Sequence, residues 1–545
     1  MNIPSVVFAG WKNLSDTMKT KLLSLAFLGC VGLPQANAQS SDEEFEQFRK
    51  EMHEDYQDFR KQMFKEYTDF IKQPWKDGLV KEGVKTPEDQ KTLPEITENN
   101  AVTNSWLGRQ ALSVREGIMK MLRKLKKKEK NAKQSAKQPD RQLAINEVIK
   151  PQIDKQEQPQ PIAPIKETTV PKVEYRTVKV YGTEVKVRMG NDCRFTLGQV
   201  NSVNVGNKLS NLMTPAFDNL LFDCLKIRKE RHLSDWAYLQ MLKTITYDFY
   251  GPRTNESMLV LGYLYLQSGY KMRFYNDGPQ LGILIASSHS IYGNSYLSFG
   301  DGEKYYVFDN DNCQRISYAD VPFPKEKDLS LRLVANQKFD VNDTPERTIT
   351  SLQYPEFSFT VKMNKNLINF YNNYPNSYIG DDFMTRWATY ANAPMDEEVV
   401  NYLYPQIREK IKGMSAYDAA SRLLNWVQSG FNYQYDDVVW GEDRAFFGEE
   451  TLYYPYCDCE DRSILFSHLV RDLLDLDVVL VYYPGHLATA VAFNEPVEGD
   501  YFLLNGRRFT VCDPTLIVGN IGTTMSLVHH EEGKVILLER TGVRM

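Results

Sequence analysis

Three residues near the C-terminus, Cys459, His486 and Asp513, offer a nucleophile, a general base and a carboxylate in that order. A cysteine attacks a carbonyl carbon as the thiolate, an imidazole takes the thiol proton, and a carboxylate fixes the imidazole tautomer. Such a set performs acyl transfer, in which an amide is cleaved through a thioester. A lone cysteine or histidine in an apolar context is usually a packed core residue, so only the combination points to chemistry.

The sequence around Cys459 predicts the helix that positions it. The apolar run Ser463–Val470 has i, i+3 and i+4 spacing, which is typical of a buried helix that begins at Cys459. The positive end of a helix favours a thiolate and stabilises an oxyanion. Glu460 and Asp461 oppose the thiolate with negative charge.

The sequence also predicts the strands that position the other two residues. His486 is predicted to open a strand over 486–493, and Asp513 ends a strand over 508–512 before Pro514. Neighbouring strands lie roughly 5 Å apart, so residues on adjacent strands can place an imidazole against a carboxylate.

These residues also carry a resemblance. Cys459 and Asp461 opening a helix, Gly485-His486 on a strand, and Asp513-Pro514-Thr515 after a strand resemble the transglutaminase-like superfamily over about residues 396–525. The resemblance implies a papain-like α+β fold, in which the helix that bears the cysteine packs on an antiparallel sheet. It implies a cysteine peptidase, amidase or transamidase in which Cys459 is the nucleophile, His486 the base and Asp513 its orienting residue.

Two aromatic residues upstream, Tyr433 and Trp440, lie where such domains line the acyl-donor cleft, and we expect them to contact substrate. The stretch before the nucleophile departs from many relatives, because Tyr456-Cys457 stands where they have a glycine. Cys457 therefore competes as the nucleophile. Cys459 is preferred because it alone has an aspartate two residues on and an immediate helix start, which leaves Cys457 as a structural thiol or a redox partner.

A zinc site is the metal alternative, with Cys457, Cys459, Cys512 and His486 as ligands. The Cys-x-Cys spacing lacks the commoner two-residue gap, and no second cysteine pair accompanies it. We therefore predict no metal and no cofactor. Cys512 and His468 are expected to pack in the core.

Length and composition favour several units. The chain has 545 residues, of which 42% are hydrophobic and 25% charged, and its net charge of −6 gives no case for a nucleic-acid partner. We predict a signal peptide over 1–38, an amphipathic helix over 39–75, a charged and Pro-rich linker over 76–172, a degenerate transglutaminase-like domain over 173–335, a connecting strand and helix region over 336–395, and a catalytic domain over 396–545.

The predicted degenerate copy repeats the order of elements in the catalytic domain. Asn255 opens an apolar helix that runs through Leu266, and strand-like stretches follow at 295–299 and 304–309. Asn255 falls at the nucleophile position, and no histidine matches His486, although His289 is close in sequence. An asparagine cannot form a thioester, so we expect this copy to bind substrate or to pack.

The N-terminus predicts export. Lys19 and Lys21 precede the apolar stretch 22–29 and the small-x-small sequence Ala36-Asn37-Ala38, which indicates cleavage after Ala38. Lipid anchoring through Cys30 is the second interpretation. The six remaining cysteines are too sparse for a disulfide scaffold, and no other apolar run is long enough to span a bilayer. A periplasmic or extracellular location follows.

Apolar residues recur at steps of three or four along the predicted 39–75 helix, which ends before Pro74. They are Phe45, Phe48, Met52, Tyr56, Phe59, Met63, Tyr67 and Phe70. The stripe either packs on the protein itself or docks on an envelope protein partner.

The sequence thus predicts an exported cysteine-dependent hydrolase or transamidase that acts on peptides, proteins or cell-wall peptides. Water and an amine are equally open as acceptor. The alternative is a non-catalytic scaffold or binding protein of the cell envelope. A Cys459 sulfur buried away from His486, or a plugged cleft, would favour that alternative.

Overall fold

The structure, a computed structural model, describes residues 38–84, 140–151, 157–170, 172–300, 302–308, 313–517, 519–525 and 532–539. The predicted signal peptide and Cys30 lie outside these residues. The chain divides into two units, 1–60 and 61–545, and the described part of the first is helical. No helix among the described residues has both the length and the apolar character needed to cross a bilayer. The fold class is α+β.

The helices are α1 Ala38–Ile71, α2 Ser202–Ser210, α3 Pro215–Glu230, α4 Asp235–Tyr250, α5 Asn255–Gln267, α6 Lys365–Asn372, α7 Arg386–Asn392, α8 Glu397–Ile411, α9 Ala416–Gly430, α10 Asp436–Val439, α11 Gly448–Tyr453 and α12 Cys459–Leu474.

The strands are β1 Lys76–Leu79, β2 Arg141–Gln142, β3 Glu147–Ile149, β4 Tyr175–Val180, β5 Thr183–Arg188, β6 Met272–Asp277, β7 Gln280–Ala286, β8 His289–Ile291, β9 Tyr296–Ser298, β10 Lys304–Val307, β11 Arg315–Tyr318, β12 Arg347–Thr350, β13 Ser358–Val361, β14 Ser377–Ile379, β15 Asn432–Tyr433, β16 Tyr456–Cys457, β17 Asp477–Tyr483, β18 His486–Ala492, β19 Asp500–Leu504, β20 Arg507–Cys512 and β21 Lys534–Leu537.

The middle region packs α5 against an antiparallel sheet of order β1-β11-β6-β7-β10-β9, and α4 packs against α5 and β4. The α5 sequence is almost wholly apolar, and the helix is buried from Ser257 to Gln267. Gly262 lets this helix approach the sheet closely, because an added Cβ would lie 2.5 Å from the ring of Phe274. The side chains between helix and sheet form one continuous core with the helices of the C-terminal region.

The C-terminal region packs α12 against a sheet of order β2-β19-β20-β18-β17-β21-β3, and α9 packs against α12 and β12. The five inner strands pair antiparallel, and β2 and β3 pair parallel at the two edges. The β17–β18 hairpin pairs Tyr483 with His486, so its turn is Pro484-Gly485. Gly485 has a φ of 77°, which favours glycine.

The two sheets share one topology. We number the strands of each sheet in chain order from the strand that follows α5 or α12, which is β6 or β17. In these numbers both sheets have the order 5-1-2-4-3, which is β11-β6-β7-β10-β9 in the middle sheet and β21-β17-β18-β20-β19 in the C-terminal sheet. In both regions the first two strands form a hairpin with a two-residue turn, since Asp277 pairs with Gln280 as Tyr483 pairs with His486. The predicted repeat of elements is therefore present as a repeat of strand order.

Parts of the segment 76–172, which composition assigns to a linker, belong to these sheets. Strand β1 adds an edge to the middle sheet. Residues 140–149 cross the C-terminal sheet from one edge to the other, so that β2 pairs with β19 and β3 with β21. Leu143 packs on the sheet face between them, and Arg141 forms a bidentate ion pair with Asp500. We call residues 140–149 the strap.

The C-terminal end of α1, within the second unit, packs on the middle region. Tyr67 is buried against Phe323 and Phe64 against Tyr263, with ring centroids 5.3 and 5.4 Å apart. Phe70, which the predicted stripe includes, is 48% exposed. Phe64, Tyr67 and Ile71 instead share one face, because i, i+3 and i+7 positions align on a helix. This end of the helix packs on its own protein.

Candidate functional site

Cys459 is the first residue of α12 and lies against the start of β18. Its Sγ lies beside the backbone N–H of Leu487, the residue that follows His486. One turn further along the helix, Ser463 Oγ donates a hydrogen bond to the Leu487 carbonyl at 3.0 Å. Two successive turns of α12 are therefore fixed to the strand that carries the histidine.

His486 and Asp513 form the pair that the sequence predicts. His486 Nε2 and Asp513 Oδ2 are 2.9 Å apart, and both side chains are buried, at 8% and 2% exposure. The other carboxylate oxygen, Oδ1, accepts the N–H of Thr515 at 2.9 Å. The Gln428 amide also donates to the Asp513 backbone carbonyl. The carboxylate is therefore fixed from both sides, and Nδ1 is the ring nitrogen left for proton exchange.

The surroundings of Cys459 favour the protonated thiol, which differs from the expectation that the helix start favours a thiolate. Cys459 Sγ donates to Glu460 Oε2 at 3.1 Å, and the side chain is 8% exposed. Burial raises the pKa of Cys459 well above its usual value, and the charges of Glu460 and Asp458 raise it further. The Leu487 N–H acts in the opposite direction. Desolvation and two carboxylates therefore outweigh the helix dipole.

Cys457 occupies a structural position. It is buried on β16, where Arg462 Nε donates to its Sγ at 3.4 Å. Burial raises the pKa of Cys457 to about 11, against the opposing effect of the Arg462 charge. The same guanidinium donates to the Gln428 and Phe431 carbonyls at 3.0 Å, so Arg462 ties α12 to the end of α9.

The two predicted substrate-contact residues lie in different settings. Tyr433 is half-buried and is the register partner of Cys457, and burial is the largest cause that raises its pKa. Trp440 instead packs edge-on against Tyr454 and Phe446, with ring centroids 4.8 and 5.6 Å apart. Tyr433 is therefore the residue of the pair that lies on the strand next to the start of α12.

A group of five carboxylates, four of them buried, lies around Cys459, and sequence reasoning missed it. One oxygen each of Asp436, Asp458 and Asp461 lie within 4.8 Å of one another, and so do one oxygen each of Asp436, Asp443 and Glu460. We call these five residues the carboxylate cluster. The available signal was the run Asp458-Cys459-Glu460-Asp461, which places an acidic residue on each side of the cysteine.

The cluster, rather than the thiol and imidazole set, offers ligands for a metal. Groups of three close ligand atoms among the described residues include these carboxylates and Cys459, but not Cys457, Cys512 or His486. Cys512 is buried with its Sγ toward the Thr510 carbonyl, and His468 is buried with Nε2 3.4 Å from the Tyr390 carbonyl. Both pack in the core as predicted.

The equivalent place in the middle region has the same contact between a helix start and a strand N–H, but an asparagine stands there instead of a cysteine. Asn255 is the first residue of α5, and its Oδ1 accepts the N–H of Leu281 at 2.8 Å. Leu281 follows Gln280, which holds the register position of His486. His289 is buried on β8, where Ile379 of β14 is its register partner. Asp309, at the end of the predicted strand, lies outside the described residues.

No protein-family model matches this chain, and neither a curated protein nor a solved structure is significantly similar to it.

Proposed function

We propose that the protein is an exported transglutaminase-like cysteine enzyme that cleaves amide bonds through a thioester, with Cys459, His486 and Asp513 as its catalytic residues. Its substrates are peptides, proteins or cell-wall peptides. The middle region is an inactive copy of the same papain-like domain. The observation that carries the proposal is the 2.9 Å hydrogen bond between His486 and Asp513, formed on the strand against which the start of the Cys459 helix packs.

In the proposed reaction, Cys459 transfers its proton to His486 Nδ1 as Sγ bonds to the amide carbon. The tetrahedral oxyanion collapses, the C–N bond breaks, and His486 gives the proton to the leaving amine. The acyl group then remains on Cys459 as a thioester. Water releases a carboxylic acid, or an amine releases a new amide, and the thiol is regenerated in both cases.

The surroundings of the pair support these roles. Asp513 receives backbone N–H groups on Oδ1 and the imidazole on Oδ2, so it stays oriented while the imidazole gains and loses a proton. The Leu487 N–H beside Sγ stabilises negative charge on sulfur. Tyr433 is the register partner of Cys457, two residues before Cys459, and we expect it to contact a bound acyl group.

The test is mass spectrometry of the mature protein after incubation with two amide donors, dimethylated casein and murein peptides, with and without monodansylcadaverine. We expect an acyl adduct on Cys459 that is absent from Cys459→Ala and from His486→Ala, and present in the matched control Cys457→Ala. Dansyl incorporation identifies transamidation, and release of a free carboxylate without the amine identifies hydrolysis. Absence of any adduct from both donors contradicts the proposal.

The second candidate function is a non-catalytic scaffold or binding protein of the envelope. One observation favours it, since Cys459 is 8% exposed and its thiol donates to Glu460 in the resting structure. In that case the unchanged protein forms no more acyl adduct with either donor than Cys459→Ala does.

A further inference from the structure

Helix α1 contains an internal repeat of eleven residues. The first copy, at 45–55, reads FEQFRKEMHED, the second, at 56–66, reads YQDFRKQMFKE, and a third begins with YTDF at 67–70. In each copy the first, fourth and eighth places are apolar wherever they fall within the helix. The residues that recur unchanged between the first two copies are Phe48 and Phe59, Arg49 and Arg60, Lys50 and Lys61, and Met52 and Met63.

The length of the repeat keeps its apolar places on one side of the helix. Eleven residues make three turns of about 3.67 residues, which is close to the 3.6 of a straight α-helix. Apolar places with this period are the pattern of a coiled coil of helices that supercoil with a right-handed twist. Helix α1 is continuous over Ala38–Ile71, so the repeats follow one another along a single rod about 50 Å long.

The third copy attaches the helix to its own chain, and it does so through a different face. Phe64, Tyr67 and Ile71 are buried in the main apolar core. Ser210 Oγ donates a hydrogen bond to Thr68 Oγ1 at 2.7 Å on the same side. Because Phe64 directly follows Met63, this face is centred about 100° away from the apolar places of the repeat.

The stripe itself has little cover. Tyr56, Phe59 and Met63 are each partly exposed, and Phe70 is 48% exposed. In the part of the chain that the structure describes, none of these four side chains contributes to an apolar core. The division of the chain at 60/61 likewise puts the first copy and the start of the second in a separate unit. A periodic apolar face of this kind is typical of a helix that pairs with another helix.

The charges beside the stripe indicate which helix that is. By helix position, Glu44, Glu51 and Asp55 fall along one edge of the stripe, and Arg49 and Arg60 fall along the other. In a parallel pair of identical helices, each edge faces the opposite edge of the partner, so acidic positions meet basic ones. In an antiparallel pair, like edges meet and the acidic positions repel each other. Arg60 is buried within its own chain, which leaves Arg49 as the arginine for such a contact.

We propose that the stripe over residues 45–63 forms a parallel coiled coil with the same stripe of a second copy of this chain. Four aromatic and two methionine side chains of each copy enter the pair. At roughly 150 Å² for each aromatic residue, the aromatic residues of both copies together bury about 1,200 Å², which reaches the size of a specific interface. The third copy of the repeat fixes each helix to its own middle region. This pairing does not rest on the proposed function.

The test is sedimentation equilibrium of the chain from residue 39 onward. We expect a mass of two chains. Phe48→Glu combined with Phe59→Glu puts charge in the middle of the stripe and should give a mass of one chain. The matched control combines Gln47→Glu with Lys61→Gln, which changes the net charge equally on the opposite side of the helix and should leave the mass at two chains. Near-ultraviolet circular dichroism shows whether the rest of each variant remains folded.

A charge exchange tests the parallel orientation. Positions 44 and 49 of two paired helices stand opposite each other, as the edge positions of a parallel coiled coil do. Arg49→Glu should therefore raise the dissociation constant of the pair about tenfold, and adding Glu44→Arg to the same chain should restore it.

A mass of one chain for the unchanged protein at concentrations up to about 100 μM overturns the proposal. So does a mass of two chains for the folded Phe48→Glu and Phe59→Glu double variant, because the contact then lies elsewhere. A mass above two chains overturns the pair as the assembly. Tighter association of Arg49→Glu overturns the parallel orientation, because like edges would then face each other.

Discussion

The middle and C-terminal regions share a strand order but differ in the chain that precedes the nucleophile-position helix. Residues 251–254 join α4 to α5, whereas residues 431–458 separate α9 from α12. The longer segment supplies Tyr433 and three carboxylates of the cluster, Asp436, Asp443 and Asp458. The framework that the two regions share positions a helix start against a strand. The longer segment adds most of the polar and charged side chains around that helix start.

The two nucleophile-position helices can be compared residue by residue from their first positions. Cys459 corresponds to Asn255, Arg462 to Met258 and His468 to Leu264. Each side chain at these positions is polar or reactive in the C-terminal helix. The middle helix instead completes an apolar core, which shows that this fold does not need the polar groups for packing.

The largest expected effect concerns Cys459, the proposed nucleophile. Cys459→Ala should lower acylation by on the order of 10⁴-fold or more, measured as adduct formation by mass spectrometry. Asn255→Cys in that background should not restore it, because Gln280 stands at the histidine position. Restored acylation at residue 255 would mean that the middle copy is not chemically inert.

Removal of the negative charge of Asp513 should have the second-largest effect. Asp513→Asn should reduce the acylation rate by about 10²–10⁴-fold, because the amide no longer stabilises an imidazolium or selects its tautomer. The melting temperature should change little, since Asn retains an oxygen for the Thr515 N–H. An unchanged rate would show that Asp513 is only a packing residue.

A third comparison concerns Arg462, whose counterpart is Met258. Arg462→Met should lower the free energy of unfolding by about 3 kcal/mol, since two buried carbonyls, those of Gln428 and Phe431, lose their charged donor. Chemical denaturation measures this difference. The control Met258→Leu conserves volume and should cost less than about 1.5 kcal/mol. Equal costs would mean that the guanidinium does not hold the two segments together.

The smallest effect is expected from His468 and depends on pH. Burial, followed by the charge of Arg471, lowers the pKa of His468 to about 4 from 6.5. The unfolded chain therefore binds a proton first, so the free energy of unfolding falls as pH drops from about 6.5 to 4, by at most about 3 kcal/mol. His468→Leu, the counterpart of Leu264, should remove this loss in denaturation at pH 7 and pH 4.5. An equal loss in both proteins would contradict the assignment.

Local sequence patterns predict the helix and the two strands that carry Cys459, His486 and Asp513. The apolar spacing after Cys459 predicted the helix start, and the predicted strands 486–493 and 508–512 match β18 and β20 within one residue. The strap was not predictable, because β2 and β3 have two and three residues and pair with strands far along the chain. Such short strands carry no alternation to detect.

The burial of charged groups around the Cys459 thiol could not be predicted from the sequence pattern either. Glu460 and Asp461 were visible as neighbours, but burial decides whether their charge matters, and burial depends on how the segment 431–458 folds back. Asp436 and Asp443 lie more than fifteen residues before Cys459 in a stretch without periodicity. Only the three-dimensional arrangement makes five carboxylates one cluster.

The most direct test of the catalytic assignment is the rate at which iodoacetamide labels Cys459 at pH 7, measured by peptide mass spectrometry. Cys459 is expected to react faster than Cys457, and His486→Ala is expected to slow the labelling of Cys459 at least about tenfold. Labelling of Cys459 at the same rate with and without His486 would contradict the assignment.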